Sequence, residues 1–209
     1  MSPAPLVAAI IGGLVGLSLN ALAAWLPSHG PWSAGRSDAV ISRHREVALP
    51  IIAAAVGVLL WWRIGPQLSL APASLAAALL LLIAAIDLDR RLVLNELVLV
   101  GALFALGVAL SGGSSRLLSA LAGGAAGLGL FLILALIQRR GMGMGDVKLA
   151  GMIGLLLGYP EVLNALLLGI VLGGFVAAGL LIARRVARRG TIAYAPFLSA
   201  GAIVTLLLR

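Results

Sequence analysis

The sequence predicts an all-α, polytopic transmembrane bundle of about eight helices, and three observations carry that expectation. Of 209 residues, 62% are hydrophobic and only 11% are charged. The mean hydropathy is +1.15. Long apolar runs recur along the whole chain, each closed by a turn former. Soluble globular chains are about 45–50% apolar and about 25% charged. The composition therefore excludes an ordinary water-soluble enzyme, a disordered tail and a nucleic-acid-binding module.

The runs place helices at residues 6–26, 47–62, 68–86, 92–110, 117–137, 147–157, 162–183 and 192–208. Pro27, Gly65-Pro66, the Ser-Gly-Gly-Ser stretch at 111–114, Gly158-Tyr159-Pro160 and Gly190 separate them. A span needs about 20 residues to cross a hydrocarbon core of about 30 Å, so the second and sixth runs are short. The first run has no basic residue before it and contains Asn20, so it reads as a retained helix and not as a signal peptide. Residues 28–46 form a short cytoplasmic loop, and residues 1–209 read as a single membrane domain with no room for a soluble one.

Orientation follows from the basic residues, which concentrate in short cytoplasmic loops. With eight crossings and the N-terminus outside, 12 of the 15 Lys and Arg fall inside, leaving Arg63, Arg116 and Arg209 outside. Both termini are thus expected on the outer side. The net charge of +8 reads as orientation and not as a phosphate-rich partner. Glycine spacings at Gly12/Gly16, Gly123/Gly127 and Gly169/Gly173 are read as helix-packing surfaces.

Cysteine is absent, and the two histidines, His29 and His44, both lie in the first polar loop. Neither a metal centre nor a thiol nucleophile is expected. The seven acids are then the informative residues, because ionisable groups at membrane depth are costly. Asp87 ends the third run in Ile86-Asp87-Leu88-Asp89-Arg90-Arg91, and Asp146 opens the sixth in Gly143-Met144-Gly145-Asp146-Val147-Lys148. Two crossings separate them, so both are expected at the cytoplasmic face. From Asp146 to Gly158 there are 12 steps, which cover only about 18 Å at about 1.5 Å each. The glycine-alternating stretch before Asp146 is therefore expected either to meet a thinned bilayer or to dip toward a wet pocket. Two carboxylates at one site tend to share a proton, so one can activate water while the other protonates a carbonyl oxygen. Simpler roles compete. Asp89 beside Arg90 and Arg91 reads as a solvated charge cluster, Asp146 as a helix cap, and Lys148 as an interfacial anchor.

Gly143-Met144-Gly145-Asp146-Val147-Lys148 resembles the GxGDxK motif of the type IV prepilin peptidases, integral-membrane aspartic endopeptidases. The segment around Asp87 and Asp89 resembles the family's other aspartate segment. Val15 to Asn20 with Leu26-Pro27, Arg45 to Pro50, and Ile192 to Leu198 are similar to three further family stretches. The resemblance implies an eight-helix fold, catalysis by Asp87 and Asp146, and supporting roles for Gly143, Gly145, Lys148 and Asp89. It also implies prepilin or pseudopilin substrates, whose short basic leader is removed at the cytoplasmic face of a bacterial or archaeal inner membrane, with oligomeric state left open. The lipid bilayer is the other expected partner, and nucleic acid is not one. Many members carry a zinc-binding insertion with two CxxC pairs, associated with N-methylation. This chain has no cysteine, so a protease without zinc, cofactor or methyltransferase activity is expected. Leu94 and Asn95 replace the usual proline and aspartate, Ser18 is displaced by one position, and Trp25 replaces a common arginine. The competing assignments are a presenilin-like intramembrane protease, whose PAL signature is matched only by Ala193-Tyr194-Ala195-Pro196, and a transporter or assembly subunit passing ions by way of the two acids.

Overall fold

A computed structural model describes residues 4–29, 43–137, 142–183 and 193–209. Eight helices account for nearly all of these residues: α1 (Ala4–His29), α2 (Arg43–Ile64), α3 (Leu70–Arg90), α4 (Asn95–Ser111), α5 (Ser114–Ile137), α6 (Met144–Leu157), α7 (Glu161–Ile182) and α8 (Ala195–Leu208). No strand occurs among the described residues. Most of the loop expected at 28–46 lies outside the described residues, but its edges do not. α1 runs on to His29 and α2 starts at Arg43, so the polar run Arg43-His44-Arg45-Glu46 is the first turn of a helix and not loop. An acid in a first turn suits the positive helix end, and Glu46 sits there.

Five helices contain segments long and apolar enough to cross a membrane: Pro5–Leu26, Arg45–Ile64, Leu70–Arg90, Ser114–Ile137 and Glu161–Gly179. Their outward faces carry bare hydrocarbon, including Ile51, Leu75, Ile133 and Phe175. A water-soluble surface scarcely tolerates such a continuous apolar cover, whereas lipid matches it. The protein is a multi-pass membrane protein.

The helices group into two compact units, Met1–Arg90 and Arg91–Arg209. In the first, α1 packs along α2, and both meet α3. Glycine makes this close approach possible. A methyl group at Gly12 would lie 2.7 Å from the Ala53 carbonyl oxygen, and one at Gly16 would lie 2.9 Å from the Ala53 methyl. Gly16 also faces Pro50, which sits inside α2. α3 then ends at Arg90, and Arg91 takes a left-handed conformation at φ 51°. That conformation stops a helix and is usually left to glycine.

In the second unit α6 is the central helix, touching α4, α5, α7 and α8. Its 14 residues span only about 21 Å. Val147, Leu149, Ala150, Met152, Ile153 and Leu157 are all buried, so protein surrounds the helix along its length. A helix walled by other helices is under no requirement to match lipid thickness on its own. Gly123 and Gly127 of α5 seat directly on the backbone of α6 at Gly154 and Ala150, and Gly169 and Gly173 of α7 seat on α8 at Leu198 and on Tyr194. All three glycine spacings therefore act as packing surfaces. At the far end of α6, Gly158 at φ 76° turns the chain. The Arg209 guanidinium donates to the Leu157 carbonyl there, placing a cation on the negative helix end.

The glycine seats predict a sharp contrast. Gly154→Ala drives a methyl into the α5 backbone at Gly123 and is expected to cost about 1–3 kcal/mol. Gly129→Ala, with open space around it, is expected to be neutral or to gain up to about 1 kcal/mol from helix propensity. Thermal unfolding of the two purified variants in one detergent checks this, and equal melting temperatures would contradict the packing account.

Candidate active site

The two motif acids occupy opposite kinds of helix end. Asp87 lies in the last turn of α3, within the first unit, and is only 5% exposed. Asp146 lies in the first turn of α6, within the second unit, and is half-buried.

Around Asp87 the local structure solves an electrostatic problem. A helix C-terminus already carries partial negative charge, yet α3 places Asp87 and Asp89 in its final turn. The counter-charge comes from α2. Arg45 pairs with the Asp89 carboxylate, and the two side chains are only 7% and 12% exposed. Arg45 Nε also donates to Oδ1 of Asn20 on α1 at 2.9 Å, so one guanidinium ties together all three helices of the unit. The expected solvated cluster of Asp89 with Arg90 and Arg91 is therefore corrected. Asp89 is withdrawn from water and bonded across the bundle, because the start of α2 packs beside the end of α3. Arg45 and Asn20 carry no role in the sequence reading of the site. Their signal was a polar residue inside an apolar helix and an arginine next to a predicted span, both costly unless paired.

Around Asp146 the glycine motif has a mechanical meaning. Gly143 is the N-cap of α6 in extended conformation (φ −75°, ψ 142°), and the Asp146 amide closes the first turn on the Gly143 carbonyl at 3.1 Å. Asp146 is thus the third helical residue, and the cap reading is corrected: the cap position is a glycine without a side-chain cap. A methyl at Gly145 would meet Val93 Cβ at 2.8 Å, so the segment leading into α4 lies hard against the motif. Lys148 Nζ donates to Asn95 Oδ1 at 2.9 Å, which pins the same two elements together. Asn95, at a position where the resembling family usually differs, is therefore the partner of the motif lysine.

Tyr194 lies within electrostatic reach of Asp146. Its ring lies 6.3 Å from both Phe131 and Phe197 and against Gly173. Burial pushes its phenol above the usual range, and the negative charge of Asp146 adds to the effect. Nothing in the sequence reading gave Tyr194 a role, although it stands inside the similar C-terminal segment. An apolar groove of about 470 Å³ between α1, α2 and α3 is lined by residues such as Gly12, Gly57, Leu60 and Leu81 and by none of the acids. It has no hydrolytic chemistry.

Residues 74–178 match the Type IV leader peptidase family. A relative from Bacillus subtilis (strain 168), described as a prepilin leader peptidase/N-methyltransferase, is 29% identical over 162 residues, covering 78% of this chain and 64% of the relative. No solved structure matches the chain.

Tyr194 offers a direct electrostatic check. The folded protein holds its phenolic proton more tightly than the unfolded chain does. The associated stability is therefore present below the ordinary phenol value of about 10 and is lost as pH rises beyond it. Ultraviolet titration is expected to show a late tyrosinate component that Tyr194→Phe removes and Asp146→Asn moves to lower pH. A component indifferent to Asp146→Asn would contradict the electrostatic contact.

Proposed function

The chain belongs to the type IV leader peptidase family, and from that premise we propose that it is an aspartic endopeptidase whose catalytic pair is Asp87 and Asp146. One observation carries the reading. Both acids fall inside residues 74–178, the part of the chain that matches the family, one in each aspartate segment. In the proposed topology α4 and α5 each cross the membrane once, so Asp87 and Asp146 belong to the same face. Gly143, Gly145, Lys148 and Asp89 support the pair by shaping or bracing the two helix ends.

The helix ends support a division of roles. Asp146, at the positive end of α6, is the carboxylate that takes a proton from water. Asp87, buried in a turn that disfavours negative charge, carries the proton. Water attacks the scissile carbonyl carbon as its proton passes to Asp146, while Asp87 gives its proton to the carbonyl oxygen. The tetrahedral diol then collapses. Asp146 hands its proton to the departing amide nitrogen, Asp87 recovers one from the diol hydroxyl, and the carbon–nitrogen bond breaks. The pair ends as it began, holding one proton.

The substrate is the junction between the short basic leader and the apolar helix of a type IV prepilin or pseudopilin. The site faces the cytoplasm at the inner membrane, with both termini outside, and residues 1–209 act as one peptidase domain. Methyl transfer, part of the relative's printed name, is not proposed, because this chain contains no cysteine to build the zinc-binding insertion.

The test is leader removal from a co-occurring prepilin in detergent or vesicles. Asp87→Asn and Asp146→Asn, at wild-type melting temperature, are each expected to lose about 10²–10⁴-fold or more in kcat. Cleavage by either at the wild-type rate would sink the assignment. A chelator is expected to leave the rate unchanged, and no methyl group is expected to pass from S-adenosylmethionine to the new amino terminus.

A further inference from the structure

We propose that the Arg45–Asp89 ion pair, braced by Asn20, is a positioning device that sets the charge experienced by Asp87 as well as the place of the last turn of α3. This rests on the reading of Asp87 as one of the catalytic pair.

The pair is difficult to explain as a source of stability. Both ions are almost fully removed from water, and buried ion pairs of this kind are often no more stabilising than well-packed apolar side chains. What the pair does supply is geometry and sign. It joins residues 20, 45 and 89 on three different helices. It does so two residues from Asp87, about 3 Å along the helix axis. Residues two apart do not face each other on a helix, so the charge acts across the width of α3; in a poorly screened interior an uncompensated charge still reaches a neighbouring carboxyl group over that width. Intact, the pair presents no net charge. Losing Asp89 leaves a cation, and losing Arg45 leaves an anion.

The other charges around α3 are few. Among described side chains, α1 carries none, and α2 carries Arg45, the exposed Glu46 and, at its opposite end, Arg63. α3 itself adds only Arg90, followed by Arg91. Glu46 and Arg90 act through space on Arg45, and both stay constant across the variants of the pair.

The experiment is the pH profile of prepilin cleavage for the full chain in vesicles, with melting temperatures measured in parallel. Asp89→Asn is expected to move both limbs to lower pH and Arg45→Gln to move both to higher pH, each by about half a unit or more. The double variant is expected to return the profile to within a few tenths of a unit of wild type while kcat stays reduced. Asn20→Ala changes no charge, so it is expected to lower kcat by about tenfold or more with KM and the profile unchanged. Profiles that stay fixed in both single variants would overturn the proposal, as would shifts of the same sign, even if stability falls. Should the single variants fold too poorly to assay, an unchanged kcat in both the double variant and Asn20→Ala would overturn it equally. Asp87→Asn, run alongside, separates the two levels. Wild-type cleavage by that variant removes the peptidase assignment itself, whereas its inactivity beside unmoved profiles removes only the role of the pair.

Discussion

In an apolar solvent every polar group must find its partner within the protein, and the rest of this structure follows from that requirement. Backbone amides meet it by forming helices, which is why eight helices and no strand fill the described residues. Side chains meet it case by case. Asn20, Arg45 and Asp89 satisfy one another across three helices, and Lys148 satisfies Asn95 across two. With so little charge in the chain, nearly every buried ion identifies a place where the fold had to accommodate it.

Helix association supplies those partners, and in lipid it cannot rely on hydrophobic burial. Close backbone approach takes over. The seats of Gly12 and Gly16 on α2, of Gly123 and Gly127 on α6, and of Gly169 and Gly173 beside α8 bring the helix backbones into direct contact. The same device works inside the motif, where Gly145 lets the segment at Val93 press on the first turn of α6. The contact at Gly145 thus falls one residue before Asp146.

The two half-sites use helix ends in opposite ways. α6 offers Asp146 an environment that favours its charge, while α3 ends in two acids and imports an arginine to balance one of them.

Much of this was legible beforehand because its cause is local. Apolar length predicts helices whatever they pack against, and all eight runs became helices, with edges shifted by a few residues where caps intervened. The polar start of α2 reads as loop because hydropathy marks apolar runs, whereas helical hydrogen bonding continues through charged residues. The aspartates and glycines of the motif were legible because their spacing is a property of one short segment. The partners were not. Asp89 beside Arg90 and Arg91 also reads as a solvated cluster, a cap is one of two readings open for Asp146, and the sequence gives Tyr194 no role. Asn20, Arg45 and Asp89 lie 25 and 44 residues apart along the chain. Lys148 and Asn95 are 53 residues apart. Which residues meet over such separations depends on how helices seat on one another, so the sequence alone determined the elements and the acids, and the tertiary structure decided what each acid touches.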